Sequence, residues 1–555
     1  MNSSPSVLVR CAVVALLMPS AASGAAPWDV IALSGRPAPG VPGVTLDGFQ
    51  AYIAANGDVI FRGELFGQGV NDSNDLGIWL ARGDQVELIA REGAQPAGYA
   101  AAYRYLTLYD GIAISDAGEA FFNSRIVRNS PFESEFVTSR GMPGAITPLA
   151  RQGSTIVGAS PQIAADRTLS TPLLEGGNVA FLDSNGPSDE RIWSGPPSAL
   201  HAVAIDGGQA PGLTAGVTYA NLEPEQIFSK ITANANGTVA FNAQIAGPGV
   251  LLNQNDRAMF VVNQSGGSLV ARTGDQAPGV QPGAMLQRFE NPVINSVDQV
   301  AFRAQISATA DFPGAEGIWA GNVGSLQLAA RQGAQAPGAP IGRTFNALYD
   351  PILGDDGTVA FYATLDDVGD YDEYGLWIGQ PGQLQRVLAT GMTAPGAPAG
   401  YVLRDFLYNP IYQSNGPLMN ARGDVVFQGR VAPDQSTLGL QGVWALVGGT
   451  IQSVLIEGDW LDVDPDPLVT TLKQVSSMRI EGGTAGADGR QSSLNDDRGI
   501  VLEVLFADGA QAILRTTLVP EPAAISLVLT ALALRACARR GLPPRQRLEN
   551  GRATH

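Results

Sequence analysis

Two acidic runs are the parts of this sequence best equipped to bind an ion or move a proton. Asp366, Asp367, Asp370, Asp372 and Glu373 fall within eight residues, and Asp462, Asp464 and Asp466 alternate further on. Carboxylates this dense on a turn are the oxygen ligands that Ca²⁺ takes. They match no EF-hand spacing, so a solvated acidic loop is the simpler reading, and a calcium site built on the five residues from Asp366 to Glu373 is the alternative. No other cofactor is expected. Paired carboxylates also cleave glycosides, provided two of them face each other at the required separation.

Other chemistries find little footing. His201 is one of two histidines, the other being His555 at the extreme end, so a serine hydrolase, an HExxH metalloprotease and a His-ligated zinc site are excluded. Cys11 and Cys537 are the only cysteines, which leaves the body between them without disulfides, thiolate metal sites or a cysteine nucleophile. No phosphate-binding or dinucleotide fingerprint follows a strand. Acids outnumber bases 52 to 34, for a formal net charge of −18, and such a chain does not attract nucleic acid. Ser73-Asn-Asp75-Leu-Gly77-Ile-Trp79 is one residue short of a sialidase-type Asp-box and does not recur.

The elements that must hold these residues repeat. The pattern Asn, two residues, Gly, three residues, Phe is clearest at Asn234 to Phe241 and Asn420 to Phe427. Its anchor recurs at 61, 122, 181, 241, 302, 361, 427 and 502, with spacings of 61, 59, 60, 61, 59, 66 and 75 residues. A period this long signals stacked supersecondary units. A second pattern, apolar-Ala-Arg-any-Gly followed by Ala-Pro-Gly, alternates with the first, as in Val270 to Gly279. Between them stands an aromatic position, filled by Trp79, Trp193, Trp319, Trp377 and Trp444, with Phe136 and Phe260 as substitutes. Recurrence at one point of every unit assigns these rings to the packing between units rather than to a sugar platform.

Asn56-Gly57, Asn236-Gly237 and Asp356-Gly357 each sit between apolar runs, where such dipeptides make tight hairpins. Gly and Pro number 67 and 37, and they interrupt every candidate helix. Each unit therefore reads as four antiparallel strands, and eight such units as an all-β propeller over residues 26–518. Seven blades is the alternative if the divergent eighth unit packs irregularly. That unit has three strands near 472–479, 499–506 and 510–517. Its fourth is expected from the orphan second-motif copy at Trp28 to Gly40, which would close the ring.

The ends read as address labels. Arg10, the apolar run 11–18 and small residues to Ala26 form a signal peptide over residues 1–25. Pro520-Glu521-Pro522, the apolar stretch 523–534 and basic residues that include Arg539 and Arg540 resemble the PEP-CTERM sorting domain. That resemblance implies, for residues 519–555, transient membrane insertion and processing by an exosortase-type enzyme after signal peptidase has acted. The repeats resemble exported choice-of-anchor tandem repeat proteins with an NxxGxxxF motif, a resemblance that brings no activity with it. The expectation is a non-catalytic propeller, secreted or on the outer surface of a Gram-negative-type bacterium, serving as a binding or structural module of envelope or exopolysaccharide. Its partner would be polysaccharide. A secreted carbohydrate-active enzyme using loop carboxylates is the competing expectation.

Overall fold

The computed structural model describes residues 27–156, 159, 167–168, 171–184, 189–222, 231–307, 315–366, 373–407, 416–464, 466, 468–481 and 488–520. The chain divides into two units, Met1–Val519 and Pro520–His555. Beyond Pro520 the second lies outside the described residues, as do residues 1–25 and the calls on Glu521, Pro522, Arg539 and Arg540.

Every regular element among the described residues is a strand, and the strands form eight antiparallel sheets in chain order. Blade 1 runs Val44–Ile53, Val59–Gly67, Leu76–Arg82 and Gln85–Arg91. From blade 3 to blade 7 the first strand is broken in two, as in Leu286–Phe289 and Val293–Ile294, which both pair with Val300–Ile306. The last blade joins Leu472–Arg479, Gly499–Phe506 and Gln511–Thr517. Its outer strand is Asp29–Leu33, in register from Asp29 opposite Arg515 to Leu33 opposite Ala512. The eight-bladed ring is thus closed by its N-terminal strand, as the motif count implies.

Six of the eight first-to-second turns bend where a glycine takes positive φ, for example 73° at Gly237 and 82° at Gly357. Asp298 and Arg498 occupy the same place without glycine, at 61° and 67°. Arg498 is held there by both carboxylate oxygens of Asp424, at 2.7 and 3.2 Å. The motif asparagine organises the turn and reaches beyond it. In Asn234, Asn295, Asn420 and Asn495, Oδ1 accepts two amides of its own turn. Nδ2 then donates to a carbonyl of the following blade: Asn234 to Asn295, Asn295 to Gly354, Asn420 to Asn495, and Asn495 to Ala54 across the closure, at 2.8 to 3.3 Å.

The motif phenylalanine lies against the preceding blade and stacks on the cross-strand aromatic. Phe61 on Trp79 has centroids 5.5 Å apart, and Phe361 on Trp377 has 6.3 Å. Each of Trp79, Trp319, Trp377 and Trp444 donates its indole N–H at 2.9 Å to the carbonyl of the Ala-Pro-Gly proline that precedes its blade. The indole folds back over the glycine two residues earlier. A Cβ there would lie 2.4 Å from the ring at Gly77 and Gly442, and 2.5 Å at Gly317 and Gly375. Blade 4 solves the same packing with Ala258 and the smaller Phe260, opposite Phe241. In blade 2 the expected substitute is not in that place. Phe136 pairs with Arg125 and stacks on Tyr109, while Ser139 stands opposite Phe122. The strands there are longer, Ala120–Asn129 and Phe132–Met142, so sequence distance from the anchor misplaces the ring.

Candidate functional site

In six blades the residue after the repeat anchor engages the next blade and makes a second set of inter-blade contacts. Arg62 pairs with Asp110 at 2.8 Å, Asn242 donates to the Glu290 carbonyl at 3.0 Å, and Arg303 pairs with Asp350 at 2.8 Å. Tyr362 stacks on Phe406 at 4.5 Å, and Gln428 donates to the Met478 carbonyl at 2.6 Å. Across the closure, Glu503 accepts the Ala51 amide at 3.0 Å. A third recurring device is the residue between Arg and Gly of the second motif, unassigned in the sequence pattern. Gln152, Thr273, Gln332, Thr390 and Glu457 each accept an amide of the third strand of their own blade, from Phe136, Arg257, Glu316, Tyr374 and Gln441. Glu92 instead accepts Leu108 in the next blade. That all of these carry a side-chain oxygen is the signal a closer reading would have caught.

The long insertion before Asn495 turns inward. Ser492, Gly489 and Asp488 present carbonyls to the amides of Ile53, Leu174 and Ala233, at 2.8 to 3.1 Å, and the Gln491 side chain accepts Ile114 at 2.7 Å. One segment of blade 8 therefore ties together the first strands of blades 1 to 4 across the axis. Gly489 fits because a Cβ would meet the Ala233 carbonyl at 2.8 Å.

Carboxylates gather around the axis at the turn end. Burial pushes Glu175 up to about 9, and the charges of Asp116, Asp496, Asp488 and Asp355 push the same way. Asp116, Asp355 and Asp496 meanwhile accept amides of adjacent blades from Gly176, Ser296 and Ala421. These are structural bonds in the ring of turns.

The sequence-derived acidic loops divide in two. Asp366 accepts the Thr344 amide at 2.6 Å, and Glu373 is gripped by Arg343 and Arg386 at 2.9 and 2.6 Å, at the two ends of the expected loop between strands Val359–Leu365 and Glu373–Gly379. Asp367, Asp370 and Asp372 lie outside the described residues. Asp462, Asp464 and Asp466 cap amides of their own turn, including Thr471, Asp466 and Leu468. Among the described residues no three His, Cys, Asp or Glu side chains are grouped to hold a metal. His201 opens the outer strand of blade 3, half-buried opposite Ser194.

Sequence reading missed a cavity of about 460 Å³ around the inner strand of blade 8, reached from blades 7 and 1. Phe49, Gln428, Gln441, Ser477, Arg479 and Glu503 line it. Burial pushes the Glu503 carboxyl up to about 7, against the pull of Arg479 and of the Ala51 amide. Arg479 pairs with Glu481. A smaller cavity of about 220 Å³, with three tyrosines and the Asp405–Arg430 pair, shares Leu407 with it.

Eight four-stranded blades closed by the first strand make this a β-propeller. The chain belongs to the family described as a family of unknown function (DUF7453), matching it over residues 20–111 and 105–526. No curated protein matches it. Among solved structures it is similar to a puromycin-hydrolyzing peptidase of Mycobacterium tuberculosis, at 11% identity and a TM-score of 0.31, covering 71% of this chain and 51% of that one. It thus spans about half the length of that peptidase. It is also similar to the polysaccharide lyase Uly1, at 10% identity, a TM-score of 0.32 and coverage of 77% and 94%. The Dos1 propeller gives 10%, 0.33, 84% and 94%. Likeness at this level bears on neither substrate nor activity.

Proposed function

We propose that this is an exported, non-catalytic surface propeller, a binding or structural module of the cell envelope or exopolysaccharide. One observation carries the reading: the residues that recur most strictly build the ring itself. The asparagines stitch blade to blade, the tryptophans clasp proline carbonyls, and the phenylalanines fill the seams. Repetition of this kind belongs to scaffold, whereas a unique site is made by what differs between repeats. Export rests on the signal-like residues 1–25 and on Pro520-Glu521-Pro522 with the apolar and basic segments after it.

The enzymatic alternative draws on Glu503, a carboxyl held near neutrality in a cavity wall. Glycosidase chemistry of the usual kind needs a second carboxylate about 5 to 10 Å away, and Glu503 is the one carboxylate among the described residues lining that cavity. Two measurements test the proposal. Intact mass of the mature protein from its host is expected to show loss of residues 1–25 and of the segment behind Val519; retention of both ends contradicts export with processing. Incubation with a polysaccharide panel is expected to release no product, and turnover abolished by Glu503→Gln overturns the non-catalytic reading.

A further inference from the structure

Beyond the scaffold stands one place where residues of the inter-blade set also border open space. At the positions after the motif phenylalanines, four blades carry Arg62, Asn242, Arg303 and Tyr362, all engaged with the next blade. In blades 7 and 8 the same position carries Gln428 and Glu503, and both also line the cavity. The Gln428 amide is fixed by its donation to the Met478 carbonyl, and the side chain is 2% exposed. Its Oε1 is buried without a hydrogen-bond partner among the described residues. That atom has almost no accessible surface, so Gln428 supports the wall, and Gln441, Ser477 and Glu503 are among the polar side chains left to line the space.

The rest of the wall narrows the chemistry. Gln441 and Ser477 offer both donors and acceptors, and Phe49, edge-on to Phe61, adds a half-buried aromatic surface. The one cation lining it among the described residues, Arg479, is paired with Glu481 and faces Glu503, which leaves no net positive charge there to favour a phosphate or uronate. At about 460 Å³ the cavity falls in the ~300 to 1,000 Å³ range of small-molecule sites. Planar amides, a carboxyl and a hydroxyl beside an aromatic surface suit a ring with hydroxyls on its rim and C–H groups on its face. The adjoining cavity, sharing Leu407, places Tyr349, Tyr362 and Tyr374 beside Asp405 and Arg430, which gives a chain of such rings a second seat.

Location agrees. Gln441 lies near the start of the third strand Leu440–Val447, at the end of the propeller opposite the asparagine turns. The last strand finishes at the turn end, where Arg515 donates to the Gly57 carbonyl at 2.8 Å. A chain tethered beyond Thr517 would leave the Gln441 end free.

We infer that the cavity around the inner strand of blade 8 binds neutral sugar units, with Gln441, Ser477 and Glu503 meeting hydroxyls and Phe49 meeting a ring face. The inference rests on the proposed reading as a binding module and supplies its ligand class. The test is calorimetric and saturation-transfer titration of the full chain with glucose, galactose, mannose, N-acetylglucosamine and their β-linked tetramers. Gln441→Ala, which removes a lining amide, and Ser477→Phe, which fills the space, are measured beside the parent, each with its melting curve. Saturable binding of at least one neutral sugar is expected, weakened about tenfold or more in whichever variants melt as the parent does. Absence of saturable binding, equal binding in parent and folded variants, or capture of acetyl-Gly-Gly-amide in preference to every sugar overturns the assignment. Cleavage of a tetramer that the variants abolish would keep the site and sink the non-catalytic reading, so the two failures are distinguishable.

Discussion

Asn234 shows what asparagine, which heads four of the eight repeats, supplies that aspartate or serine does not. Its carbonyl oxygen caps two amides of its own turn while its amide donates to Asn295 and to the Asp298 carboxylate, at 2.8 and 2.7 Å. Aspartate keeps the acceptor and loses the donor, setting a negative charge against a carbonyl and a carboxylate. Asn234→Asp is therefore expected to cost about 1 to 3 kcal/mol, and to cost more at pH 7 than at pH 4, in urea unfolding; equal midpoints at both pH values would refute the inter-blade role. Glu503 sets a second prediction at this scale. Its pKa, pushed from an ordinary 4.5 to about 7 chiefly by burial, favours the protonated form in the folded state. Glu92 is pushed up to about 7 for the same chief reason. The sign follows: the contribution is whole below about pH 4.5 and is lost as pH rises through about 7. Glu503→Gln, which keeps an acceptor for the Ala51 amide, should flatten part of that decline between pH 4.5 and 7. Parallel stability curves for parent and variant would show that Glu503 does not contribute to it.

At the scale of the element, the strand carrying Gly-Ile-Trp works as a matched set. Gly77→Ala drives a Cβ to 2.4 Å from the Trp79 ring, and overpacking of this kind costs about 1 to 3 kcal/mol. Because Ala258 with Phe260 is an accepted solution in blade 4, Gly77→Ala should cost markedly less in a Trp79→Phe background. Additive effects in that double-mutant cycle would contradict the packing account. Blades, turns and the closing strand were legible because Asn-Gly dipeptides, alternating apolar runs and the orphan copy at Trp28 are local signals with one geometric meaning. Phe136 was misassigned because its strands lengthen, which shifts which residue faces Phe122. The axial insertion was visible only as a spacing of 75 residues. Length does not say which way an insertion turns, and this one goes inward because it interrupts the first strand, whose free edge lines the axis. The cavity was invisible for a related reason: Phe49, Gln428 and Glu503 lie in three different repeats and meet only when blade 8 is seated between blades 7 and 1.

At the scale of the whole molecule, the account depends on closure. Three kinds of contact cross the seam between blade 8 and blade 1: the strand pair from Asp29–Arg515 to Leu33–Ala512, the Asn495 donation to Ala54 at 2.8 Å, and the Glu503 acceptance of Ala51 at 3.0 Å. The cavity sits beside that seam, so the proposed site exists only in the closed ring. Blades that cannot bury both faces alone need a neighbour on each side, and an open last blade would leave the Gln511–Thr517 strand as an unpaired edge. The most direct measurement is unfolding of the chain lacking residues 26–36, followed by calorimetry and by intrinsic tryptophan fluorescence. The account predicts loss of the single cooperative transition, with Trp79, buried in the parent, exposed at temperatures where the parent is folded. A deletion variant that melts in one transition at the parent's temperature would contradict the closed ring, and with it the site at its seam.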